Sequence, residues 1–403
     1  MVMAQSWPGD AEPVASGGWP ALVQHLSIHD AHGHACAVVA KGSSGWDVAP
    51  TCRGALTLDY DVDYTPLQKS QWPAPRETAF RDARGVSIIG RSLFITRGPD
   101  APSSVSFHLP PGWNVTTPWP VAKNNAFAPN STADLVDNLF AFSERPLPRW
   151  SVNGFDVRVL SFGAWRDREA VVQTTVRAAL ERYTRMMPLS QPQSYLVVLL
   201  PQDDTGGESF RASFAMNTSM DAGADGTAEL QRRVAHELFH YWNGWRLRGA
   251  DYASTQWFQE GFTDYMATTT LRKAAIVSPQ QFRAKFAAHV QNGARLQTPL
   301  ATPGTYKGPP LYSGGALVAL HFDALIRQST SGRLTVDDAM SALWRNTDQG
   351  TRAYTWTDIR AALTEVAPDV GWDALYAQYV SGDSRFTDAQ VSASGDVVDS
   401  TDP

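Results

Sequence analysis

The sequence predicts a multidomain α+β fold, and three observations predict it. Residues up to about 145 carry short alternating or β-branched runs broken by Pro and Gly, which read as a β-sandwich-like N-terminal domain. Residues 146–275 mix strand-like with helical runs, and residues 276–390 are helical, leaving 391–403 as a polar, flexible tail. A chain of 403 residues has room for such a division and for a full core.

In the first part, Gly54–Tyr64 alternates through Leu56, Leu58, Tyr60, Val62 and Tyr64, Val86–Thr96 is rich in branched and aromatic residues, and Val105–Leu109 alternates too. Gly98-Pro99-Asp100 and Pro110-Pro111-Gly112 mark turns. Glu144–Gly154, with Pro146 and Pro148, reads as a linker. Strands are then expected at Phe155–Phe162, Ser194–Leu200 and Glu208–Met220, with a helix over Asp167–Met187. A helix from Thr227 to Trp242 follows Asp221 and Asp225, and another spans Ser254–Leu271. The last helices are expected at Pro279–Gln291, Gly314–Ile326, Val336–Trp344, Trp356–Thr364 and Trp372–Tyr379.

Apolar residues make up 43% and charged residues 18%, the balance of a globular protein. A net charge of −6 excludes a broad nucleic-acid-binding surface. The small basic patch of Arg246 and Arg248 suits substrate or structure better than phosphate. No apolar run approaches a membrane span: Tyr195–Leu200 and Gly315–Ile326 are short, and the second contains His321 and Asp323. Met1–Asp10 lacks the regions of a signal peptide, so the chain reads as the mature form of a periplasmic or secreted protein or as a cytoplasmic one. Cys36 and Cys52 either form a disulfide, which fits export, or are two buried thiols. His29, His32, His34 and Cys36 crowd a stretch that reads as a loop rather than a metal site.

The chemistry is concentrated in His236-Glu237-Leu238-Phe239-His240 and, after nineteen residues, Glu260. On a helix, residues i and i+4 share a face, so both imidazoles can hold one zinc ion while Glu237 reaches its water. With nine His and ten Glu in 403 residues, roughly 0.005 chance matches to the five-residue motif are expected. Glu260 is the natural third ligand, leaving a fourth position open as in catalytic zinc sites. The cofactor expected is therefore one Zn²⁺ per chain, with Glu237 as general base. Asp264 lies one turn after Glu260. It either accepts the outer N–H of a ligating histidine or is a solvated acid on the helix face. A phenol is needed opposite the metal to stabilise an oxyanion, with Tyr312 as the first candidate and Tyr306 in reserve, although an isolated tyrosine is more often packing.

The motif, together with Trp242-Asn243, Arg246-Leu247-Arg248 and Trp257 to Tyr265, resembles the glycyl aminopeptidase family of gluzincin metallopeptidases, relatives of the aminopeptidase N group. Leu109–Trp113, Tyr312–Leu317, Asp337–Trp344 and Tyr354–Leu363 extend the resemblance over most of the chain. It implies a β-rich N-terminal domain, a thermolysin-like catalytic domain and a C-terminal helical domain. It also implies zinc on His236, His240 and Glu260, Glu237 as base, Tyr312 as electrophile, and removal of N-terminal, often small, residues from peptide substrates. Three departures stand out. The segment between His240 and Glu260 is nearer the aminopeptidase N spacing, and nothing after about residue 385 can form the PDZ domain common in the family. The Gly-rich substrate strand is only loosely matched by Gly206-Gly207-Glu208, where Glu208 is the candidate anchor for a substrate amine. Without a working anchor, the expected activity shifts to that of a zinc endopeptidase accepting blocked peptides. A third reading is a peptide-binding scaffold without turnover.

Overall fold

The computed structural model describes residues 1–3, 18–72, 74–97, 100–122, 126–201, 206–217, 224–302 and 308–401. The chain is a multidomain α+β protein that divides into two compact units. One comprises Met1–Asp167 with Gln193–Met220, the other Arg168–Pro192 with Asp221–Pro403.

The first unit is built from sheets. Near the N-terminus Val23–His29 pairs antiparallel with Thr57–Val62, and Val38–Ala40 with Trp46–Val48. Trp19, Leu22, Trp46 and Leu67 form the small core beneath them. Cys36 and Cys52 are joined in a disulfide, which decides between the two alternatives the sequence left open.

A four-stranded antiparallel sheet follows, with β1 (Ala79–Asp82), β2 (Gly85–Ile89), β3 (Asn114–Thr116) and β4 (Leu139–Ser143) in the order β1-β2-β4-β3. Side chains alternate across β4, so both faces of this sheet are covered. Phe140 packs with Trp119, Leu135 and Val136 on one side. Leu139 and Ala141 turn to the other, where they meet Leu196, Val198 and Leu200 of a five-stranded sheet. That sheet consists of β5 (Arg149–Val152), β6 (Phe155–Ser161), β7 (Gln193–Leu200), β8 (Gly206–Ser209) and β9 (Ser213–Asn217), ordered β5-β6-β7-β9-β8. The central pairs β6–β7 and β7–β9 are parallel, and the two edge strands run antiparallel to their neighbours.

Two readings of this region change. The expected linker contains β5, which is joined to β6 by Asn153-Gly154, both with positive φ. Asn-Gly is the strongest short hairpin signal, and it outweighs the prolines before it. Conversely, Val105–Leu109 forms no strand and contributes only a bridge from Val105 to Phe127. The prolines at 102, 110 and 111 cannot donate to a ladder.

The second unit is helical: α1 (Glu169–Met186), α2 (Ala224–Phe239), α3 (Tyr252–Lys273), α4 (Pro279–Gly293), α5 (Pro309–Ser329), α6 (Val336–Asn346), α7 (Trp356–Val366), α8 (Trp372–Tyr379) and α9 (Asp388–Thr401). Several starts have a local cause. Asp251 caps α3 through the Ser254 amide, and Ser278/Gln281, Thr335/Asp338 and Thr355/Asp358 form capping boxes. Pro309 and Pro310 open α5, five residues earlier than its apolar run suggests, because the first turn has no use for their missing N–H groups.

The tail expected to be flexible is instead α9. Thr387 and Gln390 exchange bonds at its start, Val391 and Val398 are buried, and Asp399 takes Arg272 at 2.6 Å and Arg283 at 3.0 Å. No helix is long and apolar enough to cross a membrane among the described residues.

At the middle of this unit lies α3, buried almost continuously from Thr255 to Leu271. It packs against α5 backbone to backbone. A Cβ on Gly261 would stand 2.3 Å from Gly315, and one on Gly315 would stand 2.2 Å from the Trp257 carbonyl. Glycine at both positions is therefore what lets the two helices approach. Gly261→Ala is expected to force them apart and to cost about 1–3 kcal/mol, by the usual penalty for overpacking a core. Urea denaturation measures this, and unchanged stability would show that the crossing yields freely.

Candidate metal centre

Helix α2 presents His236 and His240 one turn apart. Its regular hydrogen bonding ends at Phe239, yet the His240 N–H still reaches the His236 carbonyl at 3.3 Å, so the i, i+4 relation survives. The chain then turns sharply through Asn243, and this brings the Asn243 carbonyl back to His240 Nδ1 at 2.9 Å. The Asn243 amide donates to the Phe258 and Gln259 carbonyls and to Thr263 Oγ1, fastening the turn to α3 just beside Glu260.

Asp264, one turn along α3, is buried with its Oδ1 3.1 Å from His236 Nδ1. Of the two positions the sequence allowed for Asp264, the structure places it behind the histidine. The same oxygen accepts from Arg232, one turn before His236 on α2, and Arg232 is also gripped by both oxygens of Glu229.

These contacts settle where the imidazole protons sit. His240 Nδ1 faces a carbonyl and His236 Nδ1 a carboxylate, so in the neutral rings both Nδ1 atoms carry the hydrogen and both Nε2 atoms carry lone pairs. The two Nε2 atoms lie 3.1 Å apart, and Glu260 Oε2 lies 3.5 Å from the first and 3.3 Å from the second. Three buried electron-pair donors thus converge on one point, an arrangement that can hold a metal ion. Gln259 Nε2 approaches the other Glu260 oxygen at 3.4 Å, leaving Oε2 to the histidines.

The electrostatics agree. Burial alone would push the His240 pKa down, but Glu260 and then Glu237 outweigh it and hold it up at about 9. Burial would raise Glu260, yet the two imidazoles keep it well below the usual carboxylate range. Asp264 is likewise held low, against its burial, by Arg232 and His236. A field that draws protons onto paired histidines is also one that draws a cation.

Glu237 is buried between the two histidines on α2. Tyr312 is in the first turn of α5, half-buried, with its ring nearly parallel to that of His236 at a 6.0 Å centroid distance.

Residues 229–302 match the M61 glycyl aminopeptidase domain, and residues 17–143 match the M61 N-terminal domain. The chain belongs to the M61 glycyl aminopeptidase family. No curated protein matches it at a significant level. Among solved structures it is similar to an aminopeptidase N family protein from Idiomarina loihiensis, at 18% identity and a TM-score of 0.71, over 93% of this chain and 70% of that one. At that identity the likeness shows a shared fold.

Family membership supports a peptidase, and within it the structure brings together His236, Glu237, His240, Glu260, Asp264 and Tyr312 in the helical unit. Glu208, Gly206 and Gly207 belong to the other unit, on the edge strand β8. The Arg76 guanidinium lies against Gly206. Tyr306 lies outside the described residues.

Sequence reasoning missed Arg232, His289 and the anchoring role of Asn243. Only Asn243 left a signal, in the Trp242-Asn243 pair after the motif. If the trio holds a divalent metal ion, Asp264→Asn should weaken its binding by about tenfold, the usual cost of losing the partner behind a ligating histidine. Competition with a chromophoric chelator reads this directly. Wild-type affinity in that variant would leave Asp264 as a counter-ion for Arg232 alone.

Proposed function

We propose that this chain is a zinc-dependent aminopeptidase that removes N-terminal residues from peptides. The observation that carries the metal reading is the convergence of His236 Nε2, His240 Nε2 and Glu260 Oε2 at 3.1–3.5 Å from one another. Ligands about 2.0–2.1 Å from a tetrahedral zinc stand about 3.3–3.4 Å apart, so the trio fits that ion with one position left open. Zinc held there would supply a Lewis acid that acidifies a water molecule and polarises a carbonyl.

The remaining work falls to the chain. Glu237 takes a proton from the attacking water and returns it to the leaving amine. Tyr312 donates its phenolic hydrogen to the carbonyl oxygen as negative charge develops there. Asp264 and the Asn243 carbonyl hold the imidazoles in one tautomer and orientation throughout. Similarity to the glycyl aminopeptidase family supports a preference for a free N-terminus. Such a preference requires a carboxylate to receive the ammonium.

A panel of aminoacyl reporter substrates, each paired with its N-acetylated form, tests the whole reading. Metal-dependent cleavage of the free-amine forms alone is expected, and Glu237→Gln should keep zinc while losing about 10³-fold in kcat. Cleavage of the blocked forms would make the protein an endopeptidase. Tyr312→Phe should lower kcat by about 10²-fold with little change in KM, because its hydrogen bond strengthens only in the transition state. Steady-state kinetics separates the two constants, and an unchanged kcat would remove Tyr312 from the reaction.

A further inference from the structure

His289 is part of no motif that led to the metal centre, yet it lies directly behind it. It sits on α4, is 3% exposed, and packs its ring against Phe286. Nδ1 is 3.0 Å from Ser313 Oγ. Nε2 faces Asp264 Oδ2 at 3.6 Å and has no hydrogen-bond partner among the described residues.

Burial pushes its pKa down to about 4 against the pull of Asp264, so near neutrality the ring has one N–H and one lone pair. The two tautomers are not equivalent. With the hydrogen on Nδ1, the bare Nε2 would point its lone pair at a carboxylate oxygen. With the hydrogen on Nε2, Ser313 donates to Nδ1 and the N–H faces the carboxylate at 3.6 Å, an electrostatic attraction in place of a repulsion.

Asp264 then uses its two oxygens differently. Oδ1 takes His236 and Arg232, and Oδ2 is left to His289. Ser313 directly follows Tyr312, whose ring lies alongside that of His236. The metal-ligand side and the phenol side of the centre therefore meet at one imidazole.

We propose that His289 is a positioning residue that ties the carboxylate behind His236 to the helical turn carrying Tyr312. The proposal rests on the metallopeptidase reading above and adds to it a residue that touches neither metal nor substrate.

The test uses the full chain and two readouts, zinc affinity by chelator competition and kcat per bound zinc on the folded fraction. His289→Phe keeps the ring and removes both nitrogens. It is expected to lose about tenfold in zinc affinity and about tenfold in kcat at unchanged KM. In His289→Gln the side-chain amide can stand in for the Nε2–H, so zinc affinity should return to near wild type while kcat stays low. Ser313→Ala should lower kcat and leave zinc affinity intact.

If all three variants lose affinity and kcat only in step with their melting temperatures, His289 is a packing residue and the proposal fails. Should the wild-type chain bind zinc and cleave nothing, the peptidase reading falls, and zinc affinity alone decides the link to Asp264. A loss in the Phe variant restored by Gln would uphold that link, and equal affinities would overturn it.

Discussion

Three buried donor atoms directed at one point are the constraint on which the helical unit depends. His236 Nε2, His240 Nε2 and Glu260 Oε2 stand within 3.5 Å of each other, and none of them can turn away. Each imidazole is committed at its other nitrogen, one to the Asp264 carboxylate and one to the Asn243 carbonyl. Burying such a trio is costly unless a cation or protons sit among the three atoms. The surrounding contacts are best understood as what keeps the donors aimed inward while that positive charge is absent.

Helix packing supplies the aim. Glu260 and Asp264 project from α3, the two histidines from α2, and Tyr312 from α5. A typical helix pair with side chains between its axes leaves 8–10 Å between them. Gly261 and Gly315 remove the side chains at one crossing, so that α5 lies against the backbone of α3. Gly261 follows the third candidate ligand directly, and Gly315 lies three residues beyond Tyr312, on the same side of its helix. The close approach is therefore made where ligand and phenol need a fixed separation, and one added methyl group on either helix would change it.

Much of this was legible in the sequence, for physical reasons that differ from residue to residue. His236, Glu237 and His240 were readable because a period of 3.6 residues allows few ways to bring two imidazoles to one face. Glu260 was readable from its aromatic and glycine surroundings, which are poor company for a solvated acid. The hidden parts depend on contacts distant in sequence. Arg232 reads as one more charge on an amphipathic helix until Asp264, 32 residues away, is seen against it. His289 looks like a polar position on a surface helix until α5 places Ser313 beside it. The errors in the fold were local instead: the Asn153-Gly154 hairpin and the Thr387/Gln390 cap were both written in the chain and outweighed by nearby prolines or polarity.

The carboxylate of Asp264 explains why so many polar groups are tolerated in this core. Arg232 holds its charge, His236 takes one oxygen, and His289 faces the other. A buried ion pair usually adds little net stability, since desolvation consumes most of the attraction. Its contribution here is geometric. A lone carboxylate beside His236 could rotate about its Cβ–Cγ bond and would carry the imidazole with it. Two partners on Oδ1 and the His289 ring facing Oδ2 oppose that rotation, and Glu229 fixes the guanidinium in turn. The orientation of a candidate metal ligand is thus set by a chain of charges from Glu229 through Arg232 and Asp264 to His236. A substitution along that chain can leave the fold standing and still turn the imidazole out of line.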